Sequence, residues 1–311
     1  MRFWQAASCA WFMLAAALGQ NPLDSRLQPS ELVRIAVDNE IKASKDDSTH
    51  FMFRSTKTTP RGSVTRVYIE AKEATAGMTV AYDGKALTPD QRRAEEARID
   101  RFIRNPEELR KKHKQEQDDA DRTLRIVRAI PDAFLFEYAG EQPASPGIGK
   151  LGDMLTVLKF HPNPDYDPPS RVEQVLTAMD GVVLIDPVRK RLASIDGTLF
   201  KEVSFGWGIL GHLDRGGHFL VQQEDVRDPY WYLSRMQLKF TGKILLVKNL
   251  SIESTEVFTH VRLVRSDLTF AEAVEMLKKE EPVVAEEHMQ TRALHRSSAT
   301  SSPRTASLPA P

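Results

Sequence analysis

GVVLID from Gly181, RLASIDGTLF from Arg191, VSFGWGI from Val203, HFLVQQEDV from His218, YWYLSRMQLKF from Tyr230, KILLVKNLSI from Lys243 and EVFTHVRLV from Glu256 follow one another almost without interruption. Each is rich in β-branched and aromatic residues. The gaps carry turn chemistry: Asp186-Pro187, Asp214-Arg215-Gly216-Gly217 and Thr241-Gly242-Lys243. Gaps this short cannot hold a parallel crossover, which needs a dozen or more residues, so residues 181 to 263 read as an antiparallel meander. The chain is therefore expected to be mainly β.

Upstream, helix and strand signals alternate. Pro29-Ser30-Glu31 precedes an apolar face of Leu32, Val33, Ile35, Ala36 and Ile41, and a helix is expected to open at Ser30. Strands are expected over His50 to Thr56, Val64 to Ala71 and Gly77 to Tyr82, with turns at Pro60-Arg61-Gly62 and Asp83-Gly84. Residues 88–130 break the pattern with two helices of dense, mixed charge, opened by Thr88-Pro89-Asp90 and Asn105-Pro106-Glu107-Glu108. Their charge pattern suits a solvated pair with i,i+4 support, or an arm that docks a partner or moves as a lid. AFLFEY from Ala133 and LTVLKF from Leu155 are strands, with GEQPASPGIG from Gly140 as the loop between them. The prolines at 162, 164, 168 and 169 force an extended run before a short helix, Arg171 to Met179, capped by Ser170. A last helix is expected after Ser266 or Asp267, with Phe270, Ala273, Val274 and Leu277 on one face.

The ends of the chain are different in kind. Met1-Arg2, an apolar run to Leu18 and Ala17-Leu18-Gly19 form a signal-peptide pattern, with cleavage expected before Gln20; an uncleaved anchor is the alternative. Cys9 is the single cysteine and lies inside that run, with too little apolar sequence before it for a lipobox. The mature chain would then have no disulfide, no thiolate metal site and no cysteine nucleophile. Residues 280–311 are polar, Ser/Thr/Pro-rich and without period, as in a disordered tail. The expected organisation is a signal peptide at 1–19, one β domain at 20–279 with a charged helical insertion at 88–130, and the tail.

Chemistry-bearing motifs are sparse. Lys and Arg together number 43, as do Asp and Glu, which argues against a general nucleic-acid binder. Gly206-Trp207-Gly208-Ile209-Leu210-Gly211 matches G-x-G-x-x-G by letter, but Asp214 to Gly217 leaves no room for the helix a dinucleotide site requires. The glycines fit a bulge or bend better. His212 and His218 with Asp214 match no standard ligand spacing, and no metal or cofactor is expected. Glu224-Asp225, Asp196 and Glu202 supply carboxylates without any sign that two converge. Neither a G-x-S-x-G elbow nor an H-E-x-x-H helix occurs, and no enzymatic activity is expected.

The remaining signal is apolar alternation. Val203, Phe205, Trp207 and Ile209 fall on one face of their strand, as do Phe219 and Val221, and then Met236, Leu238 and Phe240. Such a face is core, covered by helices, or it is a lined cavity for a hydrophobic ligand. The chain resembles the periplasmic lipoprotein carrier and sorting proteins of the LolA/LolB type. The resemblance lies in the signal segment, the helix before the first strands, and GVVLIDP (from Gly181) followed by RLASI (from Arg191). PNPDYDPPSR, FGWGILG and the closing GK-x-LL-x-K resemble uncharacterised exported bacterial proteins of that type. The resemblance implies a curved, incompletely closed antiparallel sheet, a half-barrel, with helices covering the concave face. It also implies a periplasmic or cell-envelope location and a lipid or acylated protein as partner. Val203, Phe205, Trp207, Phe219, Val221, Met236 and Leu238 are the expected lining. The alternative is a non-enzymatic envelope module with a packed core that docks a protein partner through 88–130.

Overall fold

The meander forms except at VSFGWGI, where the strand is only Val203–Phe205 and stands off the path of the main sheet. The computed structural model describes residues 27–280 apart from 47, 207–209 and 245–247. The signal segment, most of the tail, Trp207 and Ile209 lie outside the described residues. Strands β1 (His50–Thr59), β2 (Gly62–Ile69), β3 (Ala76–Tyr82), β4 (Lys85–Ala86), β5 (Phe134–Pro143), β6 (Met154–Pro162), β7 (Met179–Asp186), β8 (Arg191–Leu199), β11 (His218–Arg227), β12 (Tyr230–Ile244) and β13 (Lys248–Val264) share one sheet. Their order is β4-β3-β2-β1-β13-β12-β11-β8-β7-β6-β5, and the small hairpin β9 (Val203–Phe205) and β10 (Gly211–Leu213) attaches to β12. The strand ladders are antiparallel, and the sheet is not closed into a barrel.

The N-terminal strands enter through the β1–β13 ladder, where His50 opposes Val264 and Thr58 opposes Thr255. One edge of the sheet is then β3–β4 and the other is β5. The chain between those edges is α2 (Pro89–Arg104) followed by α3 (Pro106–Ala133). The charged segment expected as an insertion is thus the connection between the two free edges. It also caps one of them. The Thr79 N–H of β3 donates to Glu95 of α2 at 2.6 Å, and Arg98 donates to the Gly77 carbonyl at 2.7 Å. The Thr75 N–H donates to Glu116 of α3 at 3.0 Å. Side chains here take the place of a neighbouring strand, which hides an edge that could otherwise pair with another chain.

Helices pack on both faces. On one, α1 (Pro29–Ala43) and the end of α3 place Leu32, Val33, Ala36, Val37 and Ile130 against Leu158, Val183 and Leu192. On the other, α2 and a helix at 270–280 (α5) place Ile99, Phe270, Val274 and Leu277 against Met52, Val67, Ile69 and Met78. The registers fix the two sides: Leu158, Val183, Ile195, Val221, Met236 and Glu256 oppose one another in turn, while Val67 and Ile69 alternate with Tyr68 across the sheet.

Several expected boundaries move. Thr241-Gly242-Lys243 is not a turn; the ladder runs through it, with Gly242 opposite Leu250. A Cβ at Gly242 would sit 2.0 Å from the His212 carbonyl oxygen, so glycine is there to let β10 approach. The first two residues of KILLVKNLSI close β12, and from Lys248 that segment and EVFTHVRLV run together as the single 17-residue β13. β5 continues through Gly140, which pairs with Val157 after a register shift that absorbs Ala139. α1 begins at Pro29 rather than Ser30, because proline suits the first helical position. α5 is capped by neither Ser266 nor Asp267. The Glu272 N–H donates to Thr269 Oγ1 at 3.3 Å and the Thr269 N–H to Glu272 at 2.9 Å, a reciprocal capping box. The expected helix at 171–179 is a four-residue turn, α4 (Arg171–Gln174), continued by a 3-10 turn at Val175–Ala178.

Candidate functional site

The expected lining is brought together in part. Phe219 opposes Leu238 and Val221 opposes Met236, so these four side chains share one face. That face continues into Ile195 and Gly197 of β8. Val203 is only 4% exposed and belongs to the core against α1 and α3. Phe205 and Phe219 are half-buried at the margin of that core. Val221, Met236 and Leu238 are half-buried farther along. Trp207 lies outside the described residues.

Next to Phe205 the surface opens into an apolar groove of about 510 Å³. The β9–β10 hairpin contributes Phe205, Leu210 and Leu213; β12 and β13 contribute Phe240 and Ile252, which oppose each other across the ladder. The far wall comes from Ile126 of α3, Val172 of α4 and Val175. Arg171 is the one charged residue of the lining among the described residues. Alternation along the strands picks out Phe205 and Phe240. The helical wall was missed, because nothing local in the sequence says which strand a helix will lie against.

The glycines around the groove are structural. The Leu210 N–H donates to the Phe205 carbonyl at 3.2 Å, and Gly211 opposes Phe205 across a β9–β10 hairpin. No helix follows Gly211, so the dinucleotide reading is excluded by the fold itself. The two histidines separate. His218 Nε2 is 2.8 Å from Asp196, whereas His212 Nε2 is 3.3 Å from Asp214. Glu202, His212 and Asp214 offer ligand atoms within 4.8 Å of one another, a set that could hold a cation. The Thr241 hydroxyl donates to the other oxygen of Asp214 at 2.6 Å, and the Ser204 hydroxyl donates to Glu202 at 2.8 Å. The other carboxylates are engaged elsewhere: Glu224 accepts from the Gly147 N–H at 3.0 Å and Asp225 lies 3.7 Å from Lys150.

At a different end of the sheet lies an open basin of about 850 Å³. α1 and the turn after it supply Asn39, Lys42, Lys45, Asp46 and Thr49, and β1 supplies Phe51. The β7–β8 turn supplies Arg189 and the start of β8 Arg191; the β11–β12 turn supplies Asp228 and Pro229, and the start of β12 Tyr230 and Trp231. Its local order starts from Asp186, fully buried, which accepts from the Val188 and Arg189 N–H groups at 2.8 Å each. Arg189 bridges Asp186 and Asp153, and these partners hold its guanidinium above its ordinary pKa. Arg191 makes a paired contact with Glu40 at 2.8 and 3.0 Å and lies over the Trp231 ring at 5.5 Å.

Beside the basin, Phe51, Phe53, Tyr68, Tyr230, Tyr232 and Phe258 form a linked aromatic cluster with centroids 5.0 to 6.5 Å apart. Glu70 reaches into it, accepting from the Phe51 N–H at 2.9 Å and the Tyr232 hydroxyl at 3.2 Å. Burial pushes the Glu70 carboxyl up, against the opposing pull of those two bonds. Burial and the neighbouring Glu70 together push the Tyr232 phenol up, so it stays protonated.

No family profile matches this chain, and no curated protein matches it. Among solved structures, it is similar to the crystal structure, at 1.75 Å resolution, of a DUF1329 family protein from Desulfovibrio piger ATCC 29098. The superposition covers 76% of this chain and 94% of that chain, with 7% sequence identity and a TM-score of 0.26. A likeness at that score carries no argument, and the fold rests on the strand registers.

Proposed function

We propose that this protein is an exported, non-enzymatic binding protein of the cell envelope that holds an acyl chain, from a lipid or an acylated protein, along its sheet. The observation that carries the reading is the apolar groove at Phe205: among the described residues, eight apolar side chains from the β9–β10 hairpin, β12, β13, α3, α4 and the 3-10 turn after it, about 510 Å³, with Arg171 alone bearing charge. That volume lies within the range of small-molecule sites. A carboxylate or headgroup at the chain's end would meet Arg171, while the methylenes lie on Phe205, Phe240 and Ile252. The expected residues Phe219, Val221, Met236 and Leu238 share a face with Phe240 and would extend the track. The signal-peptide pattern at residues 1–19 fits the same reading. The test is native mass spectrometry of protein purified from an exporting host, followed by lipid extraction. An acyl lipid that co-purifies with the wild type and is absent from Ile252→Glu supports it; a bare mass with no uptake of added fatty acid refutes it.

A second reading, docking of an envelope protein through the charged helices, is favoured by one observation. Gln117 to Thr123, midway along α3, is exposed on every side of the helix. An ordinary surface helix buries one face, and a polar stretch bridging two packed ends leaves all its faces to solvent or a partner.

A further inference from the structure

We propose that the basin between the end of α1 and the β11–β12 turn is a second ligand site, for a small organic anion with a flat apolar body. This does not rest on the acyl-chain reading, because no lining residue is common to the two cavities.

The charges of the basin are unequally committed. Arg189 is held by Asp153 and Asp186, and Arg191 by Glu40, so both guanidiniums serve the fold. Asp228 answers Lys150 at 3.4 Å and Arg189 at 3.6 Å. Asp46 is tied to its own turn, accepting from the Ser48 N–H at 3.0 Å and the Thr49 hydroxyl at 2.9 Å. Lys42 and Lys45 remain, exposed and with no ion pair among the described residues. Two uncommitted ammonium groups on one wall of a concave site attract an anion.

The opposite wall supplies the second, independent feature. Trp231 is only 6% exposed, and its indole N–H is buried without an acceptor. The Trp231 ring is fixed by Arg191 on one side and by Leu155, Leu184 and Ala193 around it. Phe51 and Tyr230 stand edge to face at 6.2 Å and complete an aromatic wall. Flat apolar surface and two free cations together select a planar body bearing a carboxylate or phosphate.

The experiment uses the full mature chain and 2-naphthoate as probe, with 2-naphthalenemethanol as its uncharged counterpart, read by calorimetry and tryptophan emission. The naphthoate is expected to bind saturably, about tenfold tighter than the alcohol, with the difference shrinking in high salt. Lys42→Ala/Lys45→Ala, at exposed positions, is expected to cost about tenfold, and Trp231→Phe, which keeps a ring in place, several-fold. The groove variant Ile252→Glu is expected to bind naphthoate like the wild type. No saturable binding, equal affinity for the alcohol, indifference to the lysine pair or loss in Ile252→Glu would each overturn the proposal. So would binding of phosphatidylglycerol vesicles through the two lysines that naphthoate does not displace, since that would assign them to a membrane surface.

Discussion

If an acyl chain lies in the Phe205 groove, affinity must depend on chain length with a slope set by how much of each methylene leaves water. A fully buried CH₂ contributes about 0.8 kcal/mol. The groove is open along one side, and Ile252 on its wall is 40% exposed, so about half of that is expected, ~0.4 kcal/mol or roughly twofold per carbon. From octanoate to dodecanoate the dissociation constant should fall about 16-fold on that slope, then level off once the chain outruns the groove. Ile252→Glu puts a carboxylate on the wall at a position exposed enough to leave the sheet folded. It should cost the ligand at least ~1.4 kcal/mol, about tenfold, by lost apolar contact and by repulsion of the ligand's own carboxylate. Competition against a fluorescent fatty acid gives both numbers. A flat chain-length series, or a steep one unchanged in Ile252→Glu, refutes the groove as the acyl site.

Two further expectations concern the charges that support the sheet. Glu95 is opposed by burial, yet its bonds from Arg98 and Thr79 outweigh that and hold its carboxyl below the ordinary range. Its stabilisation is therefore present above the unfolded pKa of about 4.3 and lost as pH falls through the lower folded value. Glu95→Gln should lower stability by about 1–2 kcal/mol at pH 7, and the gap should close in urea titrations below about pH 4; a gap that stays constant with pH would contradict the assignment. Glu70 has the opposite sign. Burial raises its carboxyl, so its contribution is greatest below the unfolded pKa and is lost as pH rises through the folded value. Glu70→Gln should melt at or above the wild type at pH 7 and converge with it near pH 4; a clear loss of Tm at pH 7 would mean that the charge is needed where it sits.

Much of the architecture was legible in the sequence because it depends on local physics. The short apolar, β-branched runs GVVLID and RLASIDGTLF, the Asp186-Pro187 turn between them and the proline-led starts at Pro89 and Pro106 each specify their element from a few neighbouring residues. The same locality misled at Thr241-Gly242-Lys243 and at Gly140. A glycine looks alike whether it makes a turn, a bulge or room for another backbone, and only the position of β10 distinguishes the case of Gly242. The apolar face holding Phe219, Val221, Met236 and Leu238 could be read from alternation; the share of it that is core rather than groove could not. Tertiary structure alone decided that β1 pairs with β13, that α2 and α3 join the two free edges, and that Ile126 and Val175 stand opposite Phe240. It alone decided that Lys42, Phe51, Arg191 and Trp231, drawn from four separate stretches of chain, line one basin. The reason is range. Propensity and turn chemistry act over a few residues along the chain, whereas pockets form where distant segments meet, and that meeting is fixed by burial summed over the whole sheet.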